Sequence, residues 1–209
     1  MRPQALIFDF GNVVAHFDYG KACAVLGSRL GLSGEAFRER VEAAGLVPLA
    51  HRYECGKLTA EAFSEAMCGG VGLKITHAEF ASAWSDIFWL NEPVARLVAS
   101  LKANGYVLVL GSNTNDLHAA HFRRQFAGTM AHFDRQVLSY EVGHAKPAAE
   151  FYRACIAAAG APPEACVFID DMPENVAGAR AAGIAALVYR DEPTLRYDLR
   201  QLGVEFAKR

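Results

Sequence analysis

Four stretches of the chain carry groups suited to phosphate chemistry, and each lies at or just after an apolar run. Asp9 ends the run LIFD and precedes Gly11-Asn12, Ser112-Asn113-Thr114-Asn115 follows YVLVLG, Lys146 stands in the loop EVGHAKP, and Asp170-Asp171 close ACVFIDD. Taken singly, each has an ordinary explanation: a loop acid, a turn former, a solvated lysine, a helix cap. Taken jointly, they point elsewhere. Two or three converging carboxylates repel and raise one another's pKa unless a cation sits among them, and hard oxygen ligands of this kind suit Mg2+. A lysine with hydroxyl and amide donors beside them supplies what an anionic phosphate requires.

Convergence needs a scaffold that ends several strands on one rim. QALIFDF (4–10), YVLVLGS (106–112), RQVLS (135–139), ACVFID (165–170) and AALVY (185–189) have strand length and β-favouring residues, with helix-length segments between them. Near-continuous apolar strands alternating with helices predict an α/β fold, a parallel sheet covered by helices on both faces. Such sheets bind ligands outside the carboxyl ends of their strands, where all four stretches fall. Asn91 can cap a helix with the stripe Val94, Leu97, Val98 and Leu101, ended by Asn104-Gly105, and Pro147 suits the opening of another.

One region breaks the alternation. From about residue 19 to 88 no strand is evident, but helical stripes recur: Ala22, Val25, Leu26 and Leu30; Phe37, Val41 and Ala44; Phe63, Ala66 and Met67; Phe80, Trp84 and Ile87. Thr76 and Glu79 form a T-x-x-E capping box before the last. A single crossover does not need so many residues, so a helical bundle is expected at 17–89, with the core domain built from 1–16 and 90–209. Within the insert, LAHRYECGKLT (49–59) is the most polar and least helix-like stretch and reads as a loop. Its Arg52 and Glu54 are candidates for substrate contact, with His51, Tyr53 and Lys57 beside them, and Asn115 is a further candidate for a hydroxyl contact. Trp84, Phe88 and Trp89 read as an aromatic cluster packed in the core.

Composition excludes some partners. The 209 residues carry 21 Lys+Arg against 23 Asp+Glu, without a basic field for nucleic acid. No secretory leader pattern or membrane-spanning apolar run is present, so a soluble cytoplasmic protein, a monomer by default, is expected. Five scattered cysteines, none in a C-x-x-C pair, suggest neither a disulfide framework nor a zinc site.

The order D-F-G-N-V-V, S-N-T-N, K-P and F-I-D-D, with a helical insertion after the first motif, resembles the haloacid dehalogenase-like superfamily, and most of the chain is covered. FDFGNVV with GSNTN and HAKP is similar to the bacterial α-glucose-1-phosphatase type of sugar phosphatase. The resemblance implies a Rossmann-like core with a helical cap and a Mg2+-dependent phosphatase acting on a small phosphorylated metabolite. By it, Asp9 is the nucleophile that forms a phosphoaspartyl enzyme, and Ser112 with the backbone and side chain of Asn113 holds phosphoryl oxygens. Lys146 neutralises charge on both, while Asp9, Asp171, Asp170 (directly or through water) and the Gly11 carbonyl hold Mg2+.

The resembled family commonly has D-x-D at its first motif, where the second aspartate serves as general acid and base. Here that place is Gly11. Three readings follow. The enzyme acts on a phosphate with an easily departing oxygen, such as the anomeric oxygen of a sugar 1-phosphate, with His16, Asp18, His118 or His144 as candidate proton carriers. Alternatively it is a metal-independent 2-haloacid dehalogenase, or a non-catalytic phosphate-binding regulatory protein.

Overall fold

The computed structural model describes residues 2–206. Its strands are β1 (Ala5–Phe8), β2 (Ala15–Phe17), β3 (Phe88–Leu90), β4 (Val107–Ser112), β5 (Arg135–Leu138), β6 (Cys166–Asp170) and β7 (Ala185–Val188). Five form a parallel sheet in the order β5-β4-β1-β6-β7. These are the five strands expected from the apolar runs.

Helices cover both faces. Before β3 come α1 (Tyr19–Ser28), α2 (Gly34–Ala43), α3 (Val47–Glu54), α4 (Ala60–Val71) and α5 (His77–Ser85). After it come α6 (Glu92–Ala103), α7 (Asp116–Gln125), α8 (Ala127–Met130), α9 (Ser139–Val142), α10 (Ala149–Ala159), α11 (Pro173–Ala181) and α12 (Glu192–Gln201). Alternation along β1 divides the core: Leu6 and Phe8 pack with Leu97, Leu101 and Leu199 of α6 and α12, whereas Ala5 and Ile7 pack with Phe151, Cys155 and Val176 of α10 and α11. Both faces of β1 are fully buried, which is why its sequence reads as an unbroken apolar run.

Helices α1 to α5 surround a cluster of their own, with Leu26, Phe37, Phe63, Phe80 and Trp84 at its centre. The capping box forms as expected, Glu79 N–H donating to Thr76 and the Thr76 N–H to the Glu79 carboxylate. Several sequence expectations need correction. The region joins the sheet through an antiparallel ribbon, β2 against β3, that three-residue segments were too short to announce. Val25, assigned to the apolar stripe of α1, is 50% exposed, and Trp89 is 44% exposed with the Lys21 ammonium over its ring. Arg52 to Glu54 lie on α3, not in a loop, with Tyr53 buried against Phe63. Asn91 stands at the N-cap of α6 without capping it, because its amide donates to the Val13 carbonyl and the Tyr189 hydroxyl, each at 2.9 Å. Among the described residues no helix is long and apolar enough to cross a membrane.

Candidate active site

Strand register sets the site. Phe8 pairs with Leu110 on one side and Ile169 on the other, so Asp9 comes level with Gly111 and Asp170. Its N–H extends the ladder to the Ile169 carbonyl at 2.9 Å. Strands β4 and β6 leave the central strand in opposite directions in the sheet order, opening the crevice in which such folds place ligands.

Lys146 draws the acids together. Its ammonium lies 2.6 Å from Asp9 Oδ1, an ion pair, and donates to Asp170 Oδ2 at 2.7 Å and to the Gly111 carbonyl at 3.1 Å. Burial alone would lower the lysine pKa, but the carboxylates of Asp9 and Asp170 more than offset it and the value is raised. Asp170 is fully buried, and its other oxygen accepts from the Met172 N–H at 2.9 Å and the Asn175 amide at 3.0 Å. Asp171 is less buried and accepts from Asn12 at 3.2 Å. Burial first, and the neighbouring Asp170 further, raise the Asp171 pKa against the effect of that hydrogen bond.

The Asp9 carboxyl is pushed up to about 7, chiefly by burial and further by Asp170, with Lys146 opposing. Oxygens of Asp9, Asp170 and Asp171 lie within 4.8 Å of one another. Three carboxylates against one ammonium leave two formal negative charges uncompensated, and a divalent cation with a preference for oxygen fits that deficit.

Several positioning groups were not legible in the sequence. Asn12 takes a left-handed backbone (φ 56°), a conformation asparagine tolerates better than most residues, which lets its amide reach from the first loop to Asp171 on the fourth. The Asn113 side chain, expected to hold phosphoryl oxygens, is hydrogen-bonded to the Lys146 main chain. It accepts from the Lys146 N–H at 2.8 Å and donates to the Lys146 carbonyl at 3.1 Å, fixing the lysine loop. Ser139 clamps the loop after β4, its hydroxyl accepting from the Thr114 N–H and donating to the Thr114 carbonyl.

A cavity of about 250 Å3 opens on this rim. Asp9, Gly11, Ser112, Asn113, Lys146 and Asp171 line it from the sheet, while Phe17, Tyr19, Glu54, Phe88 and His118 line it from the ribbon and helices. Arg52 and Asn115 are not on its wall: Arg52 is exposed on α3, and Asn115 is a buried N-cap of α7 whose side chain accepts from the His118 N–H at 3.0 Å. Burial pushes His118 down to about 4. Its Nε2 faces the Trp84 carbonyl at 3.0 Å and so carries the hydrogen, leaving Nδ1 to accept from the Asn115 amide. A neutral imidazole with both nitrogens engaged is no proton carrier. Of the other candidates, Asp18 caps α1, His16 packs beside Trp89, and His144 is exposed.

Gly11 has a steric reason. A Cβ there would lie 2.9 Å from Phe17 Cε1, and the Phe17 ring is itself wedged between Tyr19 and Phe88. Phe17 fills the space that a side chain at 11 would need.

Comparison with known proteins places this geometry. The family model for haloacid dehalogenase-like hydrolases matches residues 3–183. D-ribitol-5-phosphate phosphatase of Bacteroides thetaiotaomicron is 29% identical over 180 residues, covering 82% of this chain and 84% of the relative. Among solved structures, a family enzyme from the same organism in complex with magnesium and inorganic phosphate superposes with a TM-score of 0.77 at 24% identity, over 92% of this chain and 98% of that one. The L-2-haloacid dehalogenase of Xanthobacter autotrophicus with covalently bound chloropropionic acid shares the fold at a TM-score of 0.65 and 17% identity, over 97% and 84% of the two chains.

Proposed function

The chain belongs to the haloacid dehalogenase-like hydrolases, and on that footing we propose a Mg2+-dependent phosphatase that hydrolyses a small sugar or polyol phosphate through a phosphoaspartyl intermediate on Asp9. The observation that carries this reading is the charge deficit at the rim, where Asp9, Asp170 and Asp171 share one ammonium. Asp9, Asp171 and the Gly11 carbonyl would hold the metal, with Asp170 reached directly or through water. When bound, Mg2+ offsets charge on the phosphoryl oxygens and keeps Asp9 ionised.

The Asp9 carboxylate attacks phosphorus, the bond from phosphorus to the sugar oxygen breaks, and water then releases phosphate and regenerates the carboxylate. Ser112 and the main chain of Asn113 hold the phosphoryl oxygens, while Lys146, fixed by Asp170 and by the Asn113 amide, faces the transferring group. The helices within 17–89 act as a cap on a core of 1–16 and 90–209, excluding water and selecting substrate.

A positioned acid is worth about 10² to 10⁴ in rate, and position 11 supplies none. A substrate whose oxygen departs with little protonation, such as a sugar 1-phosphate, suits such a site. The ribitol phosphate phosphatase and the magnesium-phosphate complex of the structural relative support the substrate class and the metal. A haloacid dehalogenase would leave Asp171 without a counter-ion beside an anionic substrate.

A panel of phosphorylated metabolites assayed with Mg2+, with chelator, and with Asp9→Asn tests the proposal. Hydrolysis of a sugar or polyol phosphate should vanish with chelator and in the variant. A variant as active as its parent would refute Asp9 as nucleophile. Chelator-insensitive halide release would establish a dehalogenase, and phosphate binding without turnover a regulatory protein.

A further inference from the structure

The phosphate end of the cavity has an ammonium; the part lined by the ribbon and helices has none. Lys146 is the one cationic side chain on the wall among the described residues, and it is held at the phosphate end by its ion pair with Asp9 and its hydrogen bonds to Asp170 and Gly111. Facing the remaining space are the rings of Phe17, Tyr19 and Phe88, the side chain of Ile87, and a single carboxyl, Glu54. Resting on the phosphatase reading, we infer that this part of the cavity takes the uncharged, hydroxyl-bearing end of a monophosphate, and that Glu54 selects against substrates carrying a second anionic group there.

Glu54 is placed for that task. It sits in the last turn of α3, the helix pinned to the core by the Tyr53 hydroxyl donating to Asp116 and by Gly56 lying against the Tyr140 carbonyl. Among the described residues its carboxyl has neither a hydrogen-bond nor an ion-pair partner, and burial alone raises its pKa, to about 7. A half-buried acid left without a protein partner is unfavourable to the fold, and a ligand hydroxyl relieves it in either protonation state, accepting from the acid or donating to the carboxylate.

A second phosphate or a carboxylate has no such match. It would enter a space walled by aromatic and aliphatic groups, lose its hydration, meet no cation, and either be repelled by the Glu54 carboxylate or share a single proton with it, leaving a net negative charge desolvated. The aromatic walls accept the carbon-hydrogen faces of a sugar or polyol instead. Ligand pockets usually enclose roughly 300 to 1,000 Å3, and this cavity, at about 250 Å3, suits a small metabolite.

Matched pairs test the inference: glycerol 3-phosphate against 3-phosphoglycerate, and glucose 1-phosphate against glucuronic acid 1-phosphate, each assayed with Mg2+ by wild type and Glu54→Gln. Acetyl phosphate, too short to fill the second half of the cavity, reports the phosphatase chemistry itself. Wild type should prefer the alcohol of each pair by at least about 100-fold in kcat/KM, and the variant should shrink that preference about tenfold. Hydrolysis of acetyl phosphate with equal use of both members of a pair, or a preference unchanged in the variant, overturns the role of Glu54 while leaving the phosphatase reading intact. No hydrolysis of acetyl phosphate or of either pair overturns both. Were Glu54→Gln to fail to fold, the wild-type preference alone decides, since its absence is fatal to the inference.

Discussion

Glu54→Gln should alter stability with a dependence on pH whose sign and size follow from the cavity wall. Burial lifts the carboxyl from 4.5 to about 7. Between those values the folded protein keeps the proton while the unfolded chain has released it. The stability this contributes is whole below 4.5 and is lost as pH rises through about 7. At 1.36 kcal/mol for each tenfold change, the gap is worth ~3 kcal/mol at most, and the partial exposure of the residue reduces this to about 1 to 2 kcal/mol. Glutamine cannot ionise, so the variant should gain that amount relative to its parent between about pH 5 and about pH 8. Urea unfolding of both proteins across the range, followed by circular dichroism and read as midpoint and slope, measures it. A stability difference that is flat with pH, or that moves in the parent's favour, would refute the reasoning that Glu54 is half-buried without a partner.

Other substitutions probe the rest of the site. Lys146→Ala strips the counter-charge from Asp9 and Asp170, and should cost about 3 to 5 kcal/mol, seen as a melting temperature lower by roughly 10 °C, together with loss of turnover. Gly11→Ala should destabilise by about 1 to 3 kcal/mol through Phe17, part of it recovered when Phe17→Leu is added; additivity in that double-mutant cycle would show that the ring does not occupy the space. Gly56→Ala sets a Cβ 2.3 Å from the Tyr140 carbonyl oxygen at a φ of +65°. The displaced turn should carry Glu54 away from the cavity, raising KM for a sugar phosphate more than it lowers kcat.

The sheet was legible because its central strands are buried on both faces, so ALIF, VLVLGS and CVFID appear as apolar runs with their polar residues at one end. That same regularity made Asp9, Ser112, Lys146, Asp170 and Asp171 recoverable as a set. The ribbon β2 to β3 was not, since AHF and FWL are too short to express a period. Helix α3 hid for a different reason: only Tyr53 in HRYE is buried, and its anchor, Asp116, lies far along the chain. Likewise Asn113 and Asn115 both read as ligands from type and position, yet a nonlocal hydrogen bond ties one to the Lys146 loop and a local one makes the other the N-cap of α7. Gly11 became intelligible only through Phe17, six residues on, whose ring stands where a second acid would go.

A crystal structure of the protein with Mg2+ and beryllium fluoride tests the central claim most directly. The account predicts the fluoride group attached to Asp9, facing Ser112 and Lys146, and a magnesium ion among Asp9, Asp171 and the Gly11 carbonyl. A rim without metal at saturating Mg2+, or the phosphoryl mimic bound to any other residue, would contradict it.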